Sequence, residues 1–181
     1  RFNPRGEKVK LNLPKPIILT VSALIPSKRV DLSIKAVAKL NQGSLLILGN
    51  GPLKEELRQL CHQYLGKGRF QILNVSQTEI QNYYRSADIF AFSAPNEKGW
   101  GIVHLEALAS GLPVIANNDS DIISLINSNG FTCSVLNINE YYLALKKALR
   151  LRTGKSCKIT QFSWNVIGHK YRDHLYRLLN Q

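Results

Sequence analysis

Short apolar runs alternate along the chain with longer segments in which apolar and polar residues are mixed. Four runs of four to six residues are almost continuously apolar, which is typical of strands covered on both faces. These runs are Pro16–Val21, Ser44–Leu48, Asp88–Ser93 and Pro113–Ala116. Two further strands are predicted at Phe70–Leu73 and Thr132–Val135.

The segments between the strands carry apolar residues at every third or fourth position, which predicts helices of about ten residues. One helix begins at Asp31, and the next follows Pro52 with the apolar stripe Leu53, Leu57, Leu60, Cys61 and Tyr64. The sequence from Ser76 to Glu79 fits a capping box, so a third helix is predicted from there to about Ala87. Further helices are predicted at 102–110, at 122–127, at 140–150 and after Ser163.

This alternation predicts an α/β fold: a Rossmann-like, doubly wound parallel sheet of about six strands with right-handed crossovers. Such sheets bind their ligands at the carboxyl ends of the strands. The candidate ligand-binding segments are therefore the loops that follow the strands, at 22–29, 49–52, 73–76, 94–101 and 117–121.

The stretch from 95 to 116 is the most informative part of the chain. In it, Gly99 and Gly101 flank Trp100 and would let the backbone approach a ligand closely. The predicted helix that follows presents its N-terminal N–H groups at the carboxyl edge of the sheet, an arrangement that suits a phosphate. Trp100 could stack on that ligand or pin the loop to the core, and the sequence leaves both open.

Glu106, just past the first turn of this helix, carries the sharpest functional hypothesis. Its carboxylate lies among apolar residues and needs a polar partner, for which sugar hydroxyls are suitable. A structural interpretation places the carboxylate on the exposed face of the helix instead. We favour ligand binding because a glycine-rich loop, a helix start and a strand end converge on Glu106.

Two other loops carry weaker signals. Lys28 and Arg29 follow the first strand and could neutralise a diphosphate, although two solvated surface charges would give the same pattern. Gly49 and Gly51, followed by Pro52, could cradle a phosphate or form a simple tight turn, and this turn lacks the further residues of the known nucleotide-binding motifs. The four histidines have no metal-binding spacing, and His104, like the others, is interpreted as a structural or surface residue.

Composition and charge limit the candidate partners and the compartment of the protein. A chain of 181 residues with 44% hydrophobic residues suits one domain with a sizeable core. The net charge of +12 indicates either an anionic partner, such as a nucleotide, a nucleic acid or an anionic membrane surface, or simply a basic surface, and no nucleic-acid-binding motif is found. The three cysteines predict free thiols in a reducing compartment, hence a cytoplasmic protein. The polar N-terminus without Met predicts a piece of a longer protein.

Four segments, in order, resemble the C-terminal, donor-binding domain of retaining GT-B glycosyltransferases of the GT4 type, also called glycosyl transferases group 1. They read ILTVSALIPSKRVDLSIKA, LLILGNGPLKEEL, NVSQTEIQNYYRSADIFAFS and GWGIVHLEALASGLPVIA. The resemblance covers about residues 2–179, and the last segment is the most specific.

The resemblance implies roles for matching positions. Glu106 would hold the nucleotide ribose and Lys28 would contact the diphosphate, with Glu97 and Arg29 completing the catalytic set. The other donor-binding residues that it implies are Gly99, Trp100, Gly101, Ile102, Gly49, Gly51, Pro52 and Val75. It implies no metal or other cofactor, because the nucleotide-sugar donor, a UDP- or GDP-hexose, is a substrate.

Three departures from the family pattern leave donor preference and activity open. The family has two glutamates separated by seven residues, but Lys98 stands eight residues before Glu106 and Glu97 is one place off. Ala23 stands where the family often has an arginine near the first strand end. The segment 120–124 replaces the Gly-Gly-x-x-Glu of many members.

The resemblance also implies half of a two-domain enzyme. Residues 1–15 would be an interdomain linker, 16–160 the nucleotide-sugar-binding domain, and 161–181 a helix that reaches back to a missing N-terminal domain with the acceptor site. The first hypothesis is thus the donor-binding half of a hexosyltransferase, acting on a glycan or lipid-linked acceptor in cell-surface polysaccharide biosynthesis. We expect it in the cytoplasm, with peripheral contact to the inner membrane face as a further option, and inactive as a fragment.

Two other hypotheses stay open at this point. The second is a non-catalytic module that binds a nucleotide sugar or a partner, which Lys98 and Ala23 favour. The third is an unrelated flavodoxin-like fold whose basic surface binds nucleic acid, and Glu106 with the Gly-Trp-Gly sequence counts against it.

Overall fold

The computed structural model describes residues 1–96, 101–126, 128–151 and 164–179. Its strands are β1 (Ile17–Val21), β2 (Ser44–Leu48), β3 (Phe70–Leu73), β4 (Ile89–Ala91), β5 (Val114–Asn117) and β6 (Gly130–Cys133). These strands form one parallel sheet in the order β3-β2-β1-β4-β5-β6. The predicted Rossmann-like sheet of six parallel strands is therefore confirmed.

Helices connect the strands. A short 3₁₀ turn (Pro26–Lys28) precedes the first of them. The helices are α1 (Val30–Leu40), α2 (Lys54–Leu65), α3 (Ile80–Ser86), α4 (Ile102–Ala109), α5 (Ser120–Ile126), α6 (Ile138–Ala148) and α7 (Trp164–Leu179).

The winding of the sheet reverses at β1. Strands β2 and β3 lie on one side of it, whereas β4, β5 and β6 lie on the other. This order differs from the 2-1-3-4-5 order of flavodoxin-like folds, so the flavodoxin-like hypothesis is wrong for the fold. Ligands of doubly wound sheets bind where the order reverses, which here is the carboxyl edge between β1 and β4.

Each face of the sheet is covered by its own set of helices. Side chains alternate along the strands, so one face packs against α1, α2 and α6 and the other against α3, α4 and α5. Phe90 on β4 and Phe92 just after it belong to the second face. Burial on both faces explains why β1 and β2 read as continuous apolar runs.

Several predicted boundaries were wrong because side chains cap the helices differently. The α3 helix begins at Ile80, not within 76–79, because the Ser76 hydroxyl donates to the Glu79 carboxylate (2.7 Å) rather than capping the backbone. The α6 helix begins two residues early, since the Asn137 side chain accepts from two N–H groups of its first turn. Likewise α5 begins inside the predicted loop, where Asp119 accepts from the Asp121 N–H (3.0 Å).

Two strands also differ from prediction by more than one residue at an end. The β6 strand begins at Gly130, two residues earlier than predicted, because residues 130–133 pair with β5. The β4 strand is confined to Ile89–Ala91, since only its first part pairs with β1.

The apolar stripe predicted on α2 was partly wrong. On α2, Leu57 and Cys61 are buried as predicted, but Tyr64 is exposed and Leu65 takes its place in the core. On α7, the apolar residues Tyr171, Leu175 and Leu178 are exposed on the surface of the described chain. The expected cap at Ser163 lies outside the described residues.

The segment predicted as a linker packs against the domain. Leu13 is buried in the core on the α3 side of the sheet, and Phe2 and Leu11 pack against the same core. The Ser44 hydroxyl donates to the carbonyl oxygen of Pro14 (2.6 Å), which fixes the segment where β1 and β2 begin.

Two cysteines belong to the core on the opposite face. Cys61 on α2 and Cys133 at the end of β6 are buried, free thiols. Burial raises the pKa of each thiol to about 12.

Among the described segments, no helix combines the length and the apolar character that crossing a bilayer would require.

Candidate functional site

The carboxyl ends of β1, β2 and β3 form the floor of a cavity of about 300 Å³. Val21 pairs with Leu48 and Leu48 with Leu73, so the residues that follow leave the sheet side by side. Ala23, Gly49 and Val75 all line this cavity, which brings three of the sequence-predicted loops together.

Gly49 and Gly51 let two of these loops pack backbone against backbone. A Cβ on Gly49 would lie 1.9 Å from the carbonyl oxygen of Ser22, and one on Gly51 would lie 2.5 Å from that of Leu24. The Leu24 N–H donates to the carbonyl oxygen of Asn50 (2.9 Å), which holds the two loops together. The two glycines therefore allow the close packing of the loops after β1 and β2, and Gly49 also lines the cavity. Pro52, which the sequence predicts to bind the nucleotide-sugar donor, is exposed next to these glycines.

Lys28 lies at the point where the strand order reverses. Its carbonyl oxygen accepts from the Ser93 hydroxyl (3.0 Å), so the loop after β1 is tied to the loop after β4. The Lys28 ammonium lies over the Phe92 ring, with Nζ 5.7 Å from the ring centroid. This contact directs the cation across the carboxyl edge of β4.

Arg29 is already engaged with another side chain. Its Nε and Nη2 atoms donate to the two carboxylate oxygens of Asp31, at 3.0 and 3.1 Å. Burial alone would raise the pKa of the Asp31 carboxyl, but the hydrogen bonds and charges of Arg29 and Lys35 outweigh it and lower the pKa. Arg29 thus fixes the start of α1, where it adopts a left-handed conformation (φ 46°), and a ligand would have to compete with Asp31 for it.

The start of α4 faces the same edge. Gly101 has φ 55° and precedes the first helical residue, Ile102, which is 74% exposed. A Cβ on Gly101 would lie 2.9 Å from His104 Nδ1, so a larger residue would be both strained and crowded there. Among the described residues, no side chain caps the start of α4, where the His104 N–H donates to the Gly101 carbonyl oxygen (3.1 Å).

Glu106 is half-buried on α4 and is held by a tyrosine from α3. The Tyr84 hydroxyl donates to Glu106 Oε2 (2.9 Å), and Tyr84 itself is fully buried. Burial raises the pKa of the Glu106 carboxyl, an effect that the Tyr84 hydrogen bond and the nearby charge of Arg1 offset only in part. One carboxylate oxygen is thus committed to Tyr84, and several acceptor positions of the carboxylate remain for a ligand.

An aromatic cluster of Tyr84, Phe90, Phe92 and His104 connects these parts. Phe92 packs edge-on against His104 (4.8 Å between ring centroids), and His104 packs against Phe90 (5.9 Å). Phe90 packs in turn against Tyr84 (5.8 Å). Since Lys28 lies over one end of the cluster and Glu106 is bound to the other, the cluster fixes a cation and a carboxylate along one edge.

The sequence predictions missed two of these contributors. Tyr84 was interpreted only as part of a helix, and nothing in the local pattern connects it with Glu106, 22 residues later. Asn117 was placed in a polar loop, but its Nδ2 donates to the carbonyl oxygen of Pro95 (2.7 Å) and its Oδ1 accepts from the Val135 N–H (3.3 Å). The position of Asn117 at a strand end was the available signal.

Four residues discussed from the sequence, Glu97, Lys98, Gly99 and Trp100, lie outside the described residues. The predictions made for three of them, Glu97, Gly99 and Trp100, stay predictions. Within the described ranges, no three His, Cys, Asp or Glu side chains are grouped as a metal ion would require.

The fold and this edge define a Rossmann-like domain with a cavity, a cation and a half-buried carboxylate at the carboxyl ends of its strands. The model of the family described as glycosyl transferases group 1 matches residues 5–161, and the chain belongs to this family.

Two relatives and one solved structure show how far the similarity extends. The chain is 26% identical to the sulfoquinovosyl transferase of Arabidopsis thaliana over 97% of its own length. It is also 26% identical, over 89% of its length, to a GDP-mannose-dependent α-(1-6)-phosphatidylinositol monomannoside mannosyltransferase of Mycobacterium tuberculosis. The chain spans only 37% and 47% of the lengths of these two relatives.

The structural similarity concerns the fold. The pneumococcal O-GlcNAc transferase GtfA, solved with UDP and GlcNAc, superposes with a TM-score of 0.71 at 16% identity. The match covers 99% of this chain and 38% of that one. The sheet is therefore the GT-B type of Rossmann-like domain, and the chain is a glycosyltransferase-family domain.

The first testable prediction concerns the cost of keeping Glu106 half-buried. Because the folded state raises the pKa of Glu106, it binds the proton more tightly than the unfolded chain, whose pKa is about 4.3. This favours folding at low pH, and the advantage is lost as the pH rises through the folded pKa. We expect Glu106→Gln, which can still accept from Tyr84, to raise the melting temperature slightly at pH 7 to 8.

Below about pH 4, where the carboxyl is protonated in both states, the two proteins should melt alike. Glu56→Gln is the control because Glu56 is an exposed carboxylate on α2, and it should bring no gain at pH 7. A clear loss of stability in Glu106→Gln at pH 7 would contradict the interpretation that burial strains this carboxylate.

Proposed function

We propose that this chain is the donor-binding half of a retaining glycosyltransferase. It binds a nucleotide-activated hexose, a UDP- or GDP-hexose, for transfer to a glycan or lipid-linked acceptor. The observation that carries the proposal is Glu106, a half-buried carboxylate that Tyr84 fixes beside a helix start at the ligand edge of the sheet. Retention of configuration follows from the family resemblance.

A ribose suits Glu106. The two neighbouring hydroxyls of a ribose are donors that one carboxylate can accept together, and hydrogen bonds to a charged group contribute about 1.5–3 kcal/mol each. Binding would also return hydrogen bonds to a carboxylate whose charged form is disfavoured by burial. These hydrogen bonds to Glu106 would add to the binding free energy, because they form only when the ligand is present.

The diphosphate suits the adjoining groups. The α4 N-terminus begins at Gly101, and both its N–H groups and the dipole of the helix favour a negative charge there. Lys28 adds a cation whose ammonium group lies over the Phe92 ring. The two together would balance the charge that develops on the leaving diphosphate. The partner Asp31 makes Arg29 a weaker candidate for the same role.

The base suits the cavity beside β1, β2 and β3. Its lining combines apolar side chains, such as Val21, Leu48 and Ile80, with the backbone of Gly49. Backbone N–H and carbonyl groups at the mouth of the cavity could distinguish one base from another. Ala23, in the place of the arginine of many relatives, also lines the cavity and leaves space there.

The acceptor half lies outside this chain in the proposal. The chain covers less than half of either relative described above. Exposed apolar residues on α7, namely Tyr171, Leu175, Tyr176 and Leu178, support a role for this helix in contacting the N-terminal half. The relative named as acting on a phosphatidylinositol mannoside supports a lipid-linked acceptor. The net charge of +12 supports peripheral contact with an anionic membrane.

Transfer of radiolabelled hexose tests the proposal. We expect the full-length protein to transfer a hexose from UDP- or GDP-hexose to a membrane or glycan extract, whereas residues 1–181 expressed alone transfer none. Nucleotide-sugar binding without turnover by the full-length protein would establish the non-catalytic module instead. Turnover by residues 1–181 above a buffer blank would contradict the two-domain proposal.

Lys28→Ala tests the diphosphate contact. Losing one charge-assisted contact should weaken UDP binding by about 1.5–3 kcal/mol, roughly tenfold to hundredfold, in calorimetry. Uridine, which has no phosphate, should bind both proteins alike. Lys67→Ala is the control, because Lys67 is an exposed cation in the loop between α2 and β3, at the opposite edge. Equal UDP affinities of the Lys28 variant and the wild type would leave Lys28 a surface charge.

Glu106→Gln tests the ribose contact. The amide keeps the shape and one acceptor oxygen but removes the charge, so we expect UDP or GDP to bind roughly tenfold to hundredfold more weakly, about 1.4–2.8 kcal/mol. The 2′,3′-dideoxy nucleotide should bind the variant and the wild type almost alike. If the variant loses as much affinity for the dideoxy nucleotide as for the natural one, Glu106 does not hold the ribose.

A further inference from the structure

Residues 1–9, which we call the strap, lie along α3, where the Arg85 guanidinium group binds several of their backbone carbonyl groups. Arg85 Nε donates to the carbonyl oxygen of Asn3 (3.0 Å), and Nη2 donates to that of Arg1 (3.1 Å). The Nη1 atom makes a longer contact with the carbonyl oxygen of Glu7 (3.4 Å). One side chain of the domain thus binds three backbone carbonyl groups of the strap.

The backbone of the strap is shaped to fit this group. Gly6 has φ 121°, and a Cβ there would lie 3.0 Å from Arg85 Cζ, so the chain bends over the guanidinium at a residue without a side chain. Asn82 Oδ1 accepts from Arg85 Nη1 (2.6 Å) and so orients the guanidinium from below. The Val9 N–H donates to the Ser86 hydroxyl (2.8 Å), which fixes the far end of the strap.

The strap brings Phe2 against the tyrosine that holds Glu106. The Phe2 ring meets the Tyr84 ring edge-on, with 5.6 Å between the centroids and an angle of 89° between the ring planes. Phe90 packs against Tyr84 as well, at 5.8 Å. The Tyr84 ring is thereby confined between two aromatic neighbours, and its hydroxyl is directed at Glu106 Oε2.

We propose that Arg85 and Phe2 are positioning residues for Glu106: Arg85 fastens the strap, and Phe2 confines the Tyr84 ring that holds the carboxylate. The proposal rests on the proposed function, in which Glu106 binds the ribose. Neither residue needs to touch the ligand. We expect both residues to act through the position of one carboxylate, and so to influence mainly that part of the binding energy that depends on the ribose hydroxyls.

The test compares UDP with 2′,3′-dideoxy-UDP by calorimetry on the full-length protein, and GDP with its dideoxy analogue if GDP binds more tightly. We expect Phe2→Ala, Tyr84→Phe and Arg85→Gln each to weaken UDP binding about three- to tenfold, which corresponds to about 0.7–1.4 kcal/mol. The dideoxy analogue should bind these variants as it binds the wild type. Phe2→Tyr keeps the aromatic edge and should restore wild-type affinity.

Arg69→Gln is the matched control. Arg69 also uses its guanidinium to bind backbone carbonyl groups, those of Gly43 (2.8 Å) and Gln42 (3.1 Å), but at the amino edge of the sheet. Its loss should leave both affinities unchanged. If Arg85→Gln does not fold, Phe2→Ala carries the test, because Phe2 is only partly buried and its truncation leaves the backbone contacts of the strap in place.

Two outcomes would overturn the inference while leaving the proposed function intact. One is wild-type UDP affinity in Phe2→Ala and Arg85→Gln while Glu106→Gln loses affinity. The other is an equal loss for UDP and its dideoxy analogue, which would indicate general loosening of the domain. If Glu106→Gln itself binds UDP as the wild type does, the ribose contact fails, and the inference fails with it.

Discussion

The position of β1 between β2 and β4 is the constraint on which the rest of the site depends. Because the chain winds one way on one side of β1 and the other way beyond β4, the loops at the carboxyl edge diverge there and leave room for a ligand. The Ser93 hydroxyl donates to the Lys28 carbonyl oxygen and so links the loop after β1 to the loop after β4 at this place. The cavity beside β2 and β3 and the start of α4 then lie on opposite sides of it.

The sequence predicted the bounds of β1 and β2 better than those of β6, for a physical reason. The inner strands β1 and β2 are covered on both faces, so nearly every position must be apolar, and the pattern is visible without tertiary information. The β6 strand has only one neighbour, and three of its four residues are partly exposed, so its bounds depended on pairing with β5. The first residue of a helix can be set by a single capping side chain such as Asn137, and the apolar pattern alone does not reveal this.

The candidate site was predictable only where local signals coincided. Glu106 could be singled out because a helix start, a strand end and glycines are close to it in sequence. Its partner Tyr84 could not, because a buried tyrosine in a helix is usually a core residue and the hydrogen bond crosses to another helix. The close approach of Gly49 to the backbone of Ser22 was equally hidden, since a tight turn explains the same glycine.

The two buried cysteines offer a way to measure local opening of this domain. Because burial raises the pKa of each thiol to about 12, very little thiolate is present at pH 7 while Cys61 or Cys133 remains buried. Alkylation must therefore wait for a local opening that returns the thiol to water. Both cysteines belong to the core that α1, α2 and α6 form with one face of the sheet, so their modification rates measure how often that layer opens, separately from the layer that carries Glu106.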